Sequence, residues 1–260
     1  MNDLHRRIGH PRPPIIPALI VSMLAVGCGQ GPRADRVTAK QASRPLQYVW
    51  VDGGTGGRMA ARTLMTASME IRGLRAAGVP TDAPAIRQAA TFLASCQRID
   101  DSTARSDGGM SRERGGFASS PVDGSVGVNR GRPFVSATCM GIAGLLDAGV
   151  PRDDFRIHAA LVWLERHYSL DAHPGMDRPR EGLYAFYYEF ANAMEVLGRD
   201  EIRDARGVPH DWRAELSRRL AEQQAADGGW ANPEESARVG RNGRMAVTSY
   251  VLLTLGRIRH

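Results

Sequence analysis

Lysine is almost missing from this 260-residue sequence: Lys40 stands alone among 34 basic residues, a bias of genome composition rather than of function. The formal charge of +6 is also unevenly placed. Residues 1–45 hold Arg6, Arg7, Arg12, Arg33, Arg36, Lys40 and Arg44 against Asp3 and Asp35, so residues 46–260 carry a net charge near +1. No basic face remains for a nucleic-acid partner. Cysteine occurs three times, too few for a disulfide framework, and Cys96 and Cys139 read as small buried thiols. There is no CxxC, no HExxH and no GxSxG, and His158 and His167 lie nine residues apart on poorly matched helix faces. No metal site and no cofactor is therefore expected. The run Gly53–Gly57 lacks the Gly-Lys-Ser/Thr end of a phosphate loop and reads as a turn.

Long apolar runs are equally scarce. Ile15–Val26 is a stretch of twelve residues behind the basic His5, Arg6 and Arg7, too short to span a bilayer and suited to a signal sequence. It ends at Ala25-Val26-Gly27-Cys28, which resembles a bacterial lipobox, with Ala25 where that pattern prefers leucine. Residues 1–28 are thus expected to be an export signal with Cys28 as the lipidation site, simple secretion being the alternative. Residues 29–57 are expected to be a flexible tether, and residues 58–260 the folded domain.

What the sequence does contain is a repeat. Gly-Val-Pro-x-Asp occurs at Gly78–Asp82, Gly149–Asp153 and Gly207–Asp211. Glycine accepts the left-handed position that closes a helix, proline stops that helix, and aspartate caps the next. Each copy predicts a helical corner. After the first two corners, Ile86, Ala89, Ala90, Leu93 and Gln97 align with Ile157, Ala160, Leu161, Leu164 and Tyr168. That spacing is one stripe of an amphipathic helix. The third copy keeps Leu216 and Leu220. Met59–Ala77, Phe134–Ala148, Leu183–Leu197 and Arg244–Ile258 alternate with these segments and have no clear polar face. Four buried inner helices and three half-exposed outer ones are expected, in an all-α fold.

Gln224-Ala-Ala-Asp227-Gly228-Gly229-Trp230 follows an amphipathic helix and resembles the QW motif of squalene-hopene cyclases and their relatives. Residues 153–197 resemble the prenyltransferase/squalene-oxidase-repeat proteins that some bacteria export. They include Trp163-Leu164, Tyr168-Ser169-Leu170-Asp171, His173-Pro174-Gly175-Met176 and Gly182-Leu183-Tyr184. The resemblance covers about residues 58–260. It implies an α/α toroid of helical hairpins, open or incomplete, and a structural role for Gln224, Asp227, Gly229 and Trp230 in tying helix ends together. Gly115-Gly116-Phe117, in the long loop 98–133, looks like a diverged partner of Gly228-Gly229-Trp230.

The chemistry known from that family does not carry over. The nearest matches to the cyclase Asp-x-Asp-Asp acid, Ile99-Asp100-Asp101 and Arg152-Asp153-Asp154, lack the first aspartate. Ala94 and Ala137 stand where a zinc-dependent prenyltransferase has the aspartate of its Asp-x-Cys pair. Two features remain. Tyr184, Tyr187 and Tyr188 form a stripe that an inner helix could show to a central cavity, or bury as core. Glu181, Asp171 and His173 precede that helix and supply candidate acid–base groups. The leading expectation is a lipid-anchored binding or scaffolding module whose partners are the membrane and an apolar small molecule or an envelope protein. The alternative is an enzyme acting on an apolar or glycan ligand in a tyrosine-lined cavity.

Overall fold

The computed structural model describes residues 49–50, 59–60, 63–99, 113–121, 131–234 and 241–259, all within one unit spanning Thr38–His260. The export signal, Cys28, Gly53–Gly57 and most of the loop 98–133 lie outside the described residues. Among the described residues seven helices dominate: α1 (Leu64–Ala76), α2 (Pro84–Ser95), α3 (Val135–Asp147), α4 (Phe155–Arg166), α5 (Leu183–Leu197), α6 (Trp212–Glu222) and α7 (Arg241–Ile258). Two small antiparallel strand pairs accompany them: β1 (Val49–Trp50) with β2 (Met59–Ala60), and β3 (Glu201–Arg203) with β4 (Pro209–Asp211). The chain is all-α in class. The first pair differs from expectation, because β1 falls inside the stretch read as tether and Met59 begins a strand rather than a helix.

The corners explain where the helices stop. Gly78 and Gly149 adopt φ of 80° and 89°, the left-handed geometry that a side chain resists, directly after α1 and α3. Aspartate caps a helix from only one of the three copies: Asp211 accepts from the Ala214 amide at the start of α6. At α4 the cap is the neighbouring Asp154, and at α2 Pro84 takes the first turn without a side-chain cap. Gly207, with φ of 78°, turns the β3–β4 hairpin instead of ending a helix. Asp204 holds that turn through its carboxylate, which accepts from the Arg206 and Val208 amides.

The expected alternation of helices holds in part: α3 is buried almost throughout, but α7, expected to be buried on both sides, exposes Met245, Leu252 and Leu253. The odd-numbered ones pack in a row, α1 on α3, α3 on α5 and α5 on α7; α2 packs on α1 and α3, α4 on α3, and α6 on α7. The predicted stripes face the core: Ile86, Ala89 and Leu93 from α2, Ile157, Ala160, Leu161 and Leu164 from α4, and Leu216 and Leu220 from α6 are all buried. Helix α3 is buried almost throughout, because neighbours cover it on several sides. Cys96 and Cys139 are free and buried, and burial pushes the Cys96 thiol up to about 12.

Hydrogen bonds show the glycine-rich loops to be two versions of one device. Gln224 Nε2 donates to the Gly228 carbonyl at 2.8 Å, and Gln97 Nε2 donates to the Gly115 carbonyl at 3.0 Å. The Trp230 amide donates to Thr248 Oγ1 at 3.2 Å, and the Phe117 amide to Thr138 Oγ1 at 3.0 Å. In each copy the glutamine at the end of an outer helix grips the loop, and a threonine on the following inner helix receives it. Asp227 adds an acceptor for the Gly229 amide and an ion pair with Arg244.

Candidate functional site

All four odd-numbered helices contribute to one concavity. Leu64 and Met65 of α1, Ser136, Ala137 and Met140 of α3, Ala185 of α5, and Ala246 and Tyr250 of α7 line a pocket of about 590 Å³ with a mainly apolar wall. Met65 and Tyr250 stay exposed at 50% and 37%, unusual for large apolar side chains, and they form the rim.

His173 closes the floor. It is buried, its ring stacks on Phe186 at 5.1 Å between centroids, and Phe134 meets it edge-on at 5.9 Å. Nδ1 lies 2.7 Å from the Glu181 carbonyl oxygen, so that nitrogen carries the proton and donates. Nε2 is then the acceptor, and the Ser136 amide approaches it at 3.4 Å. Helix α3 has no side-chain cap at Phe134, so His173 serves one of its orphan amides from outside the helix. Desolvation drives its pKa from 6.5 down to about 4. His173 is thus a neutral, doubly occupied ring that positions α3 and the loop before α5.

This geometry has a pH signature. Near pH 6.5 and above, the ring is neutral in the folded chain and its contribution to stability is complete. As pH falls from 6.5 towards 4, the unfolded chain takes up a proton that the folded ring refuses, and stability is lost. Urea titrations of wild type and His173→Asn are expected to differ in their loss over that window by about 3 kcal/mol, the variant being flatter. Equal pH slopes would contradict the buried neutral ring.

The remaining sequence candidates separate. Glu181 lines the pocket together with His173, but it is the Glu181 carbonyl that the imidazole meets. Asp171 is exposed, forms an ion pair with Arg219, and lines a different, polar cleft with Tyr168, His210 and Glu215. Tyr184 and Tyr187 are core, at 1% and 0% exposure, and the Tyr187 hydroxyl donates to the Leu170 carbonyl at 2.5 Å. Tyr188 is half-buried beneath the Arg257 guanidinium, 5.2 Å from its ring centre. The tyrosine stripe is therefore not the cavity wall. An inner helix is covered by both inner neighbours as well as by outer elements, which leaves only a narrow strip facing the concavity. On α5 the residue that reaches the pocket wall is Ala185.

A belt of charged residues links the odd-numbered helices. Arg72 of α1 stands 3.9 Å from both Asp147 Oδ2 of α3 and Glu189 Oε2 of α5. Arg257 of α7 pairs with Glu195 of α5. Burial raises the pKa of both Asp147 and Glu189 against the opposing pull of the arginines. No sequence motif marks this belt, because its members come from four different helices.

Among the described residues no group of three or more histidine, cysteine, aspartate or glutamate side chains is placed to hold a metal ion, and no helix is long and apolar enough to cross a membrane. Comparison of the chain with protein-family models, curated proteins and solved structures finds no match.

Proposed function

We propose that this chain is an exported, lipid-anchored helical-repeat protein of the squalene cyclase/prenyltransferase-like toroid type, acting as a binding module for an apolar small molecule. The single observation that carries the binding reading is the mainly apolar pocket between α1, α3, α5 and α7, with His173 engaged at its floor. A pocket of this size and lining holds a ligand through buried apolar area. The repeated corners, the alternation of inner and outer helices and the paired Gln–Gly–Thr loops support the toroid assignment. The leader pattern ending at Cys28 supports export and anchoring.

Photolabelling tests the pocket. The full chain in mild detergent is exposed to a diazirine-bearing dodecane, and labelled peptides are mapped by mass spectrometry. Label is expected on the peptides containing Met65, Met140 and Tyr250. Ala185→Trp, which fills the pocket from its α5 wall, is expected to cut that label by about tenfold or more. Labelling spread evenly over the surface, or unchanged in Ala185→Trp, would overturn the reading.

The competing reading is an enzyme with Glu181 as acid or base, and the place of Glu181 in the pocket wall is what favours it. Turnover of an apolar substrate that vanishes in Glu181→Gln while photolabelling persists would establish it in place of the binding module.

A further inference from the structure

The N-terminal end of α3 is short of partners where it borders the apolar pocket. The Val135 amide donates to the Pro174 carbonyl at 3.1 Å and the Ser136 amide approaches His173 Nε2, but the Ala137 amide has no acceptor among the described residues. A side chain beside it is also unpartnered. Ser136 is 5% exposed and lines the pocket. Its Oγ makes no hydrogen bond among the described residues and is not sealed away from solvent. Ala137 belongs to the same wall. Side chains on a helix lean towards its N-terminus, so Ser136 Oγ and the Ala137 amide address the same space. Buried polar groups in a folded protein are nearly always paired, and each left unpaired is costly. Both groups donate, and the positive end of the α3 dipole favours an oxygen acceptor in front of them. A carboxylate would be desolvated there without a cation, because no arginine or lysine lines the pocket and Glu181 adds like charge. A neutral carbonyl oxygen, whose two lone pairs take two hydrogen bonds, meets both demands.

We propose that the pocket binds an apolar molecule carrying one neutral carbonyl, a long-chain ketone or ester. Its oxygen accepts from Ser136 Oγ and the Ala137 amide, and its hydrocarbon lies against Met65, Met140, Ala185 and Tyr250. The inference rests on the apolar-binding reading above and names the ligand class for the same site. His173 acts on this ligand only by position: its Nδ1 proton goes to the Glu181 carbonyl and its Nε2 faces the Ser136 amide, so the ring has no hydrogen left to donate.

Competition against the photolabel separates the two claims. Dodecane, decyl methyl ketone and dodecanoate are each titrated into the full chain with the diazirine probe, and the concentration halving the label on the Met140 peptide is read. The advantage of the ketone over dodecane is expected to fall about fivefold in Ser136→Ala, the usual size of one net hydrogen bond, while dodecane competes as before. Comparing that ratio between wild type and variant cancels the different partitioning of the probes into detergent. Ser136→Ala removes a hydroxyl that no protein group meets, so its thermal midpoint by circular dichroism is expected not to fall. Infrared spectroscopy gives a second reading on the wild-type chain. With the protein in excess, the stretch of an isotope-labelled ketone carbonyl is expected below its positions in dodecane and in detergent alone. A ratio unchanged by Ser136→Ala, or a band no lower than in detergent alone, would overturn the carbonyl assignment while leaving the apolar pocket standing. A larger loss for dodecanoate than for the ketone in Ser136→Ala would overturn it in favour of a carboxylate. Failure of dodecane and the ketone alike to compete would remove the apolar-binding reading, and this inference with it.

Discussion

Replacing Trp230 by alanine is expected to destabilise the fold by about 4 kcal/mol, the range for truncating a buried tryptophan. Trp230 is 4% exposed, its indole Nε1 donates to the Leu220 carbonyl at 2.8 Å inside the core, and its amide donates to Thr248 Oγ1. The side chain therefore ties the last turn of α6 to α7 while filling the space between them. Truncation leaves a cavity and also strips a donor from a buried carbonyl, and the two effects add. Trp230→Phe keeps most of the apolar area and loses only the donor, so a cost nearer 1–2 kcal/mol is expected. Urea unfolding followed by far-ultraviolet circular dichroism reads both. If the two variants were equally mild, Trp230 would be filling a surface crevice rather than joining two helices.

That residue was legible in the sequence because a short motif combines a fixed chemical role with fixed spacing. Gln224 and Gly228 are four residues apart, close enough for a side chain to reach a carbonyl across a single loop. The corresponding Gln97 and Gly115 are separated by a long loop, so the Gly-Gly-aromatic signature at 115–117 marks the loop but not the glutamine that grips it. The helices were legible for a similar reason. Periodic burial leaves a record every three to four residues, and Ile157, Ala160, Leu161 and Leu164 carry it plainly. The corners were only partly legible. Their glycines take the predicted left-handed backbone, but an aspartate two residues beyond a proline is a cap only if the helix starts there. Asp211 satisfies that condition, whereas at α4 the cap moves to Asp154.

The site resisted prediction because a concavity is a property of several helices at once. Tyr184, Tyr187 and Tyr188 are the most conspicuous side chains on α5, yet Tyr184 and Tyr187 belong to the core. The wall falls to Ala185, whose small side chain leaves the space that the pocket occupies. Periodicity shows that α5 has distinct faces, but it cannot say which one the neighbours leave uncovered. His173 illustrates the same point for chemistry. A histidine eight residues from a glutamate suggests acid–base work, but once the loop folds back, the backbone carbonyl of Glu181 accepts a hydrogen bond from the imidazole Nδ1–H and desolvation keeps the ring neutral. The belt of Arg72, Asp147, Glu189 and Arg257 is likewise assembled from single residues on different helices.

Gly115→Ala is expected to cost about 3 kcal/mol or more, although it adds a single methyl group to a loop. Gly115 has φ of 100°, outside the comfortable range of any residue with a side chain. A Cβ placed there would come within 2.2 Å of the Ala159 carbonyl oxygen and 2.8 Å of its carbon, both backbone atoms of α4. A flexible side chain could rotate away, but a helix backbone held by its own hydrogen bonds cannot. The loop cannot retreat either, since its amide donates to the Arg98 carbonyl at 2.7 Å and its own carbonyl receives Gln97 Nε2. Gly78→Ala is the matched control. With φ of 80° it suffers comparable backbone strain, but a Cβ there meets nothing within 4 Å, so a cost near 1 kcal/mol is expected. The difference between the two thermal or urea midpoints measures how closely the Gly115 loop is pressed onto α4. A Gly115→Ala variant as stable as Gly78→Ala would show that the loop can lift away, and that the Gln97–Gly115 grip contributes little to holding the first repeat against the second.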